Sequence, residues 1–117
     1  MSQITIYHNP ACGTSRTVLE ALREAGHAPR VVEYLKAGWS RDQLAGFFSK
    51  MGVKPRDMLR TKGALAEDLG LTAPGVGDDA ILAAMVAHPV LVERPILVTP
   101  KGVLLARPAS RLEAILA

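Results

Sequence analysis

Residues 4–16 read ITIYHNPACGTSR, and they predict a strand, a tight turn and the start of a helix. Partial alternation and the β-favouring Ile and Tyr side chains indicate a strand over residues 3–8. The Asn-Pro pair opens a turn over residues 9–13. From Thr14 onward the apolar residues recur at helical spacing: Val18, Leu19, Leu22 and Ala25. A second strand over residues 31–35 completes a βαβ unit.

The middle and the end of the chain follow a different pattern. Helices are predicted over residues 40–51, 55–60, 64–69 and 78–88. Ser40 and Gln43 fit a capping box at the start of the first of these helices. Two strands, over residues 95–99 and 103–106, are separated by three residues and therefore form an antiparallel hairpin. A closing helix is predicted over residues 108–116.

The order β-α-β, helical insert, β-β-α is that of the thioredoxin fold. We therefore predict an α/β protein with a thioredoxin-like, four-stranded mixed sheet and helices packed against it. The length of 117 residues predicts a single domain over residues 1–117, with the helical insert at about residues 40–90. The thioredoxin-like interpretation also predicts a cis peptide bond between Arg94 and Pro95.

Composition excludes several classes of protein. A single cysteine rules out an internal disulfide and any cycle between two thiols of one chain. The net charge of +3 comes from scattered basic residues with few aromatic residues, which does not favour nucleic-acid binding. No signal peptide and no apolar run of about 20 residues is present, so we expect no membrane association and a cytoplasmic location. Lacking an obvious apolar patch, the chain is expected to be a monomer.

Cys12 lies where the first strand gives way to the first helix, and there it is a candidate nucleophile. The free backbone N–H groups of residues 13–16 should point at its sulfur and favour the thiolate. His8 could add positive charge or accept the proton, or it could be an ordinary residue at a strand end. The alternative for Cys12 is a buried structural cysteine, although a turn between Pro and Gly is a poor place for one.

An anion site is predicted around this sulfur. Arg94 precedes the third strand and Arg107 follows the fourth, so an antiparallel hairpin brings both to one end of the sheet. Cys12 is placed at the same end on the assumption that the first strand is antiparallel to the third. Two guanidinium groups and the amides of Gly13 and Thr14 would suit a small tetrahedral oxyanion. Each arginine could instead be a solvated surface residue, and topology does not place Arg60.

Two positions argue against familiar alternatives. Val18 stands where a cysteine phosphatase needs an arginine, and Ser15 stands where a dithiol oxidoreductase needs its second cysteine. Ser15 either hydrogen-bonds the sulfur or caps the helix, and capping is slightly favoured. With one Cys and three dispersed His, no metal site is expected.

Four segments together resemble the glutaredoxin-linked arsenate reductase family. They are residues 4–16, residues 94–100, Arg107-Pro108 and Met58-Leu59-Arg60. The resemblance implies a thioredoxin-like fold with Cys12 as nucleophile and with Arg60, Arg94 and Arg107 as the oxyanion site. It also implies that His8 helps to hold the thiolate, with Ser15 a weaker candidate. Because the best-known members continue beyond Ala117, the chain resembles a shorter branch of the family.

The resemblance implies reduction of arsenate to arsenite through a covalent Cys12 thiol–arsenate adduct. With a single thiol in the chain, glutathione as co-substrate and glutaredoxin as partner would complete the reaction, and no tightly bound cofactor is expected. Two alternatives stay open. One is a monothiol glutathione-dependent oxidoreductase, and the other is a non-catalytic redox regulator that binds a protein partner.

Overall fold

The computed structural model describes residues 4–107, whose contacts form two compact units. The sheet unit comprises residues 4–37 and 94–107, and the helical unit comprises Gly38–Glu93. The single domain with an insert at about residues 40–90 stays a prediction. The helix predicted over residues 108–116, the Pro108 of the Arg107-Pro108 motif and the Gln3 start of the first strand lie outside the described residues.

The sheet unit contains a four-stranded mixed sheet in the order β2-β1-β3-β4. Its strands are β1 (Thr5–His8), β2 (Arg30–Glu33), β3 (Ile96–Thr99) and β4 (Gly102–Leu105). β1 and β2 are parallel, whereas β3 is antiparallel to both β1 and β4. This topology confirms the predicted fold class.

One face of the sheet packs against α1 (Gly13–Glu24). Alternate residues of β1 face this helix, because side chains of a strand point to opposite faces in turn. The core cluster consists of buried apolar residues from β1, α1, β3 and the end of β4: Ile4, Ile6, Val18, Leu19, Leu22, Leu97 and Ala106. This packing fixes the first turn of α1 over the end of β1, which is where Cys12 lies.

The second strand is shorter than predicted. It ends at Glu33, opposite His8, and the chain then forms the short helix α2 (Tyr34–Ala37). β1 ends at His8, where the chain turns, so no backbone partner is left for residues beyond Glu33. Leu35, assigned to the strand from its apolar character, is 44% exposed in α2.

The start of β3 is tied to the end of β4. The Arg94–Pro95 peptide bond is cis, as predicted. The N–H of Ala106 donates to the carbonyl oxygen of Pro95 at 3.0 Å. Arg94 and Arg107, which flank this contact along the chain, therefore lie at the same end of the hairpin.

The helical unit is built around α3 (Arg41–Met51), α4 (Leu65–Asp68) and α5 (Asp78–Ala87). α5 packs against α3 and against two 3₁₀ turns, Pro55–Met58 and Pro89–Leu91. Ser40 forms the predicted capping box with Gln43. α3 ends at Gly52, whose φ of 70° is a left-handed conformation that favours glycine.

The turn that starts at Pro55 ends earlier than the helix predicted over residues 55–60. Leu59 leaves the helical path and pairs with Val92 in an antiparallel bridge. The backbone hydrogen bonds of this bridge extend to Arg60, whose N–H donates to Leu91 at 2.7 Å. The prediction that Arg60 ends a helix is therefore wrong. Within the part of the chain described, no helix is both long and apolar enough to cross a bilayer.

Candidate active site

Cys12 is the N-cap residue of α1, with extended backbone dihedrals (φ −92°, ψ 121°). It is buried, with 8% of its surface exposed, and follows directly from the turn after β1. The amide of Arg16 donates to the Cys12 carbonyl oxygen at 3.0 Å, which is the first hydrogen bond of the helix. The expectation that this amide also faces the sulfur is therefore wrong, because the first helical hydrogen bond already uses it.

The pKa of the Cys12 thiol is lowered by its surroundings. Burial alone would raise the pKa, because it disfavours the charged thiolate. The backbone amides of Ser15 and Thr14 and the guanidinium of Arg94 more than offset this effect. The amides act on the thiolate although the thiol makes no conventional capping hydrogen bond. The surroundings of Cys12 thus favour the thiolate over the thiol.

Arg94 and Arg107 both lie at this sulfur, as the antiparallel hairpin predicts. Nη1 of Arg107 is 3.9 Å from Cys12 Sγ. Arg94 stabilises the thiolate through a hydrogen bond and through its charge. The positive charges therefore converge on Cys12 from the start of β3 and the end of β4.

Arg94 is unusual because it is only 6% exposed. Its Nε and Nη1 atoms are buried and have no hydrogen-bond partner within residues 4–107. A buried, unpaired guanidinium N–H group is costly, and such a group in a folded protein is commonly matched by a ligand or serves catalysis. Two donor nitrogens beside a thiolate suit the oxygen atoms of a tetrahedral anion.

The amides of Gly13 and Thr14 were predicted to contribute to the same anion site. The Thr14 amide lowers the pKa of Cys12 and so acts on the sulfur. Gly13 begins α1, and a Cβ atom added there would meet no described protein atom within 4 Å. The backbone at Gly13 is therefore open on its outer side.

His8 and Ser15 form one buried pair beneath the first turn of α1. Their Nδ1 and Oγ atoms are 2.6 Å apart, and Ser15 Oγ also accepts the N–H of Asn9 at 3.1 Å. Burial lowers the pKa of His8, with Arg23 and Arg16 acting in the same direction and Glu33 opposing them. The lowered pKa favours the neutral form of the His8 imidazole.

Capping by the Ser15 side chain, the favoured prediction, is wrong. Helix α1 begins at Gly13, so Ser15 is already its third residue and shares the buried face of Val18 and Leu22. Its hydroxyl is turned into the interior toward His8, whereas its backbone amide acts on the Cys12 sulfur. Ser15 therefore acts on the sulfur through its main chain.

Arg60 belongs to the helical unit. Its Nη1 lies 3.5 Å from Oε1 of Glu93, and both side chains are mostly buried. The two residues of this ion pair directly follow Leu59 and Val92, whose backbones form the antiparallel bridge. The role of Arg60 in an anion site stays a prediction.

Asn9 was not predicted to be a site residue, yet its contacts shape the loop that carries Cys12. It is 6% exposed, and its carbonyl oxygen accepts the Cys12 N–H at 2.9 Å. Its Oδ1 accepts the N–H of Ala11 at 3.0 Å. The signal in the sequence was the Asn-Pro pair, because Asn and Pro favour the first two positions of a turn.

Within residues 4–107, no three His, Cys, Asp or Glu side chains cluster in a way that could hold a metal ion. The groups gathered around Cys12 are guanidinium and amide donors, which bind anions. What the arrangement can do chemically is hold a small oxyanion against an activated thiolate.

The ArsC family model matches residues 7–115 of the chain. An arsenate reductase of Synechocystis is 51% identical over 108 residues, which cover 92% of this chain and 75% of that protein. An arsenate reductase of Escherichia coli is 46% identical over 109 residues, covering 93% of this chain and 77% of that protein. The solved structure of an arsenate reductase from Vibrio cholerae superimposes with a TM-score of 0.90 at 38% identity, covering 96% of each chain.

Proposed function

The chain belongs to the ArsC family, and from this premise we propose that it reduces arsenate to arsenite with Cys12 as the nucleophile. One observation carries the proposal. Arg94 is buried beside the Cys12 sulfur, and two of its donor nitrogens, Nε and Nη1, have no partner within residues 4–107. A tetrahedral oxyanion would supply the missing acceptors and would place its central atom near the thiolate.

In the first step, the Cys12 thiolate attacks the arsenic atom of arsenate. A sulfur–arsenic bond forms, and one oxygen leaves as water after it has taken up protons. Arg94 and Arg107 hold the remaining oxygens and balance their negative charge. We propose that the amides of Gly13 and Thr14 add to this anion site, and that His8 and Ser15 hold the thiolate in place.

The later steps need electrons from outside the chain, because Cys12 is its only cysteine. Glutathione attacks the arsenic of the adduct, and a second water leaves. The thiolate of glutaredoxin then attacks the glutathione sulfur and forms a mixed disulfide, and the electron pair of the broken sulfur–arsenic bond reduces As(V) to As(III). Hydrolysis of the bond to Cys12 releases arsenite and restores the thiol. Such chemistry suits the cytoplasm, where glutathione keeps thiols reduced.

The proposal for Arg60 rests on the motif Met58-Leu59-Arg60 and on the family resemblance. If Arg60 is a third oxyanion-binding residue, Arg60→Ala raises the KM for arsenate. Arg56→Ala is a matched control, because Arg56 lies in the same unit and its guanidinium donates to the carbonyl oxygens of Ala73 and Val76. An unchanged KM in the Arg60 variant would remove Arg60 from the site.

A coupled assay tests the function as a whole. The wild-type chain, glutathione, glutaredoxin and arsenate should release arsenite, whereas Cys12→Ser should release none. Omission of glutathione should also abolish turnover. No turnover with the wild-type chain, or undiminished turnover with Cys12→Ser, would defeat the proposal.

The same assay separates this function from glutathione-dependent reduction of protein disulfides. A monothiol oxidoreductase would reduce a glutathionylated protein in the absence of arsenate, and would not need Arg94. We expect the wild-type chain to act on arsenate and to show little activity on glutathionylated substrate.

A further inference from the structure

The turn that connects β1 to α1 is organised by Asn9. Its carbonyl oxygen accepts the Cys12 N–H at 2.9 Å, which closes a four-residue turn over residues 9–12. Its side-chain Oδ1 accepts the N–H of Ala11 at 3.0 Å inside the same turn. Pro10, between them, has no N–H and has a fixed φ angle. The N–H groups of Ala11 and Cys12 thus both have their acceptors on one residue, Asn9.

We propose that Asn9 is a positioning residue that holds Cys12 at the N-terminus of α1 for its reaction with the oxyanion. The proposal rests on the proposed function of Cys12 as nucleophile. It assigns to Asn9 no contact with the substrate. Asn9 acts by fixing the direction in which the chain enters the helix, and hence the place of the sulfur relative to the Thr14 and Ser15 amides.

The side chain, and not only the backbone, carries this role. The hydrogen bond from the Ala11 N–H to Oδ1 belongs to a local turn motif. An Asn side chain forms this hydrogen bond well, a Ser side chain forms it more weakly, and Ala cannot form it. Without it, the partly buried Ala11 N–H loses its acceptor and the turn gains alternative conformations. Cys12 comes directly after Ala11, so those conformations move the sulfur away from the helix amides.

Asn9 also links the turn to the buried pair beneath the helix. Its N–H donates to Ser15 Oγ at 3.1 Å, and the same oxygen lies 2.6 Å from His8 Nδ1. Asn9 therefore contacts both Cys12, through its carbonyl oxygen, and Ser15 in the first turn of α1, through its N–H. The exposed fraction of Asn9, 6%, is low for an asparagine in a turn and agrees with a part in this packing.

The test measures alkylation of Cys12 against pH, since a chain with a single cysteine gives one signal. The variants are Asn9→Ala and Asn9→Ser. The control is Thr99→Ala, which removes a similar contact from a side chain to the N–H two residues ahead, from Thr99 Oγ1 to Lys101 at 3.0 Å. Thr99 ends β3 at the end of the sheet opposite Cys12, so its loss should leave the sulfur unaffected.

We expect Asn9→Ala to shift the alkylation profile to higher pH and to slow alkylation at neutral pH by about three- to tenfold, the effect of losing one net hydrogen bond. Asn9→Ser should recover part of the loss, and Thr99→Ala should match the wild type. In the arsenate assay, kcat of Asn9→Ala should fall while KM changes little. Circular dichroism on each variant checks that it is folded.

The outcomes separate this proposal from the proposed function. If the wild-type chain reduces no arsenate but Asn9→Ala still shifts the alkylation profile, the positioning role stands and the proposed function fails. If the wild-type chain reduces arsenate, and a folded Asn9→Ala variant has the same alkylation profile and the same kcat as the wild type, the positioning role is wrong. Should Asn9→Ala fail to fold, a folded Asn9→Ser with the wild-type profile and kcat overturns the proposal in the same way.

Discussion

Nη1 of Arg107 lies 3.9 Å from Sγ of Cys12, although the two residues are 95 positions apart in the chain. The antiparallel hairpin returns the end of β4 to the start of β3, and β1 delivers Cys12 to the same end of the sheet. The contact combines a long hydrogen bond to sulfur with the attraction between a cation and a thiolate. Charge and the directional fork of the guanidinium can therefore be separated by mutation.

Arg107→Lys keeps the positive charge and removes the planar fork, which is what binds two oxygens of an anion at once. We expect the pH profile of Cys12 alkylation to stay close to that of the wild type, while the KM for arsenate rises by about tenfold. Arg107→Ala should change both. An Arg107→Lys enzyme with the wild-type KM would show that the fork does not bind the substrate.

Arg94→Gln tests the arginine that lowers the pKa of Cys12 through both a hydrogen bond and its charge. Without its hydrogen bond and charge, only the Ser15 and Thr14 amides oppose the effect of burial, so the pKa of Cys12 rises. Alkylation at neutral pH should slow by about tenfold or more, as expected for loss of a charge-assisted hydrogen bond. Arg30→Gln is the control, because Arg30 is exposed at the start of β2, at the far end of the sheet. Equal rates in the two variants would contradict the role of Arg94.

The sequence allowed the fold and the meeting of Cys12, Arg94 and Arg107 to be predicted for one reason. Strand direction follows from loop length, since a three-residue connection forces an antiparallel pair and a helical connection permits a parallel one. The prediction also assumed that β1 is antiparallel to β3, which the structure confirms, and the three residues then lie at one end of the sheet. That inference needs topology and no side-chain geometry.

The details that could not be predicted depend on where each element starts and ends. A helix that begins at Gly13 instead of Thr14 turns the Ser15 hydroxyl inward to His8. Asn9 was not predicted because its side-chain contact is with the backbone of Ala11, and that contact follows from the turn geometry. Arg60 was misplaced because the tertiary pairing of Leu59 with Val92 overrides local helix signals.

The capping box of α3 gives a prediction on stability. The Ser40 hydroxyl accepts the Gln43 N–H at 3.1 Å, and Gln43 Oε1 accepts the Ser40 N–H at 3.3 Å. Ser40→Ala should lower the free energy of unfolding by about 1 kcal/mol. Ser49→Ala, on the exposed side of the same helix, should change it little or raise it slightly, because alanine favours helix. Urea denaturation measures both, and an equal loss in the two variants would show that the cap contributes nothing specific.

His8 should make stability depend on pH in a predictable direction. Burial lowers its pKa in the folded chain, whereas in the unfolded chain it titrates near the ordinary value of about 6.5. Between the two values the unfolded chain binds more protons, so acid favours unfolding. The contribution of His8 is fully present above about pH 6.5 and declines as the pH falls from there through the lower folded pKa. Urea denaturation of the wild type and of His8→Gln at neutral and at mildly acidic pH measures this contribution as a difference. The wild type should lose more stability than the variant on acidification, and a variant that loses as much would show that His8 is not held neutral by its burial.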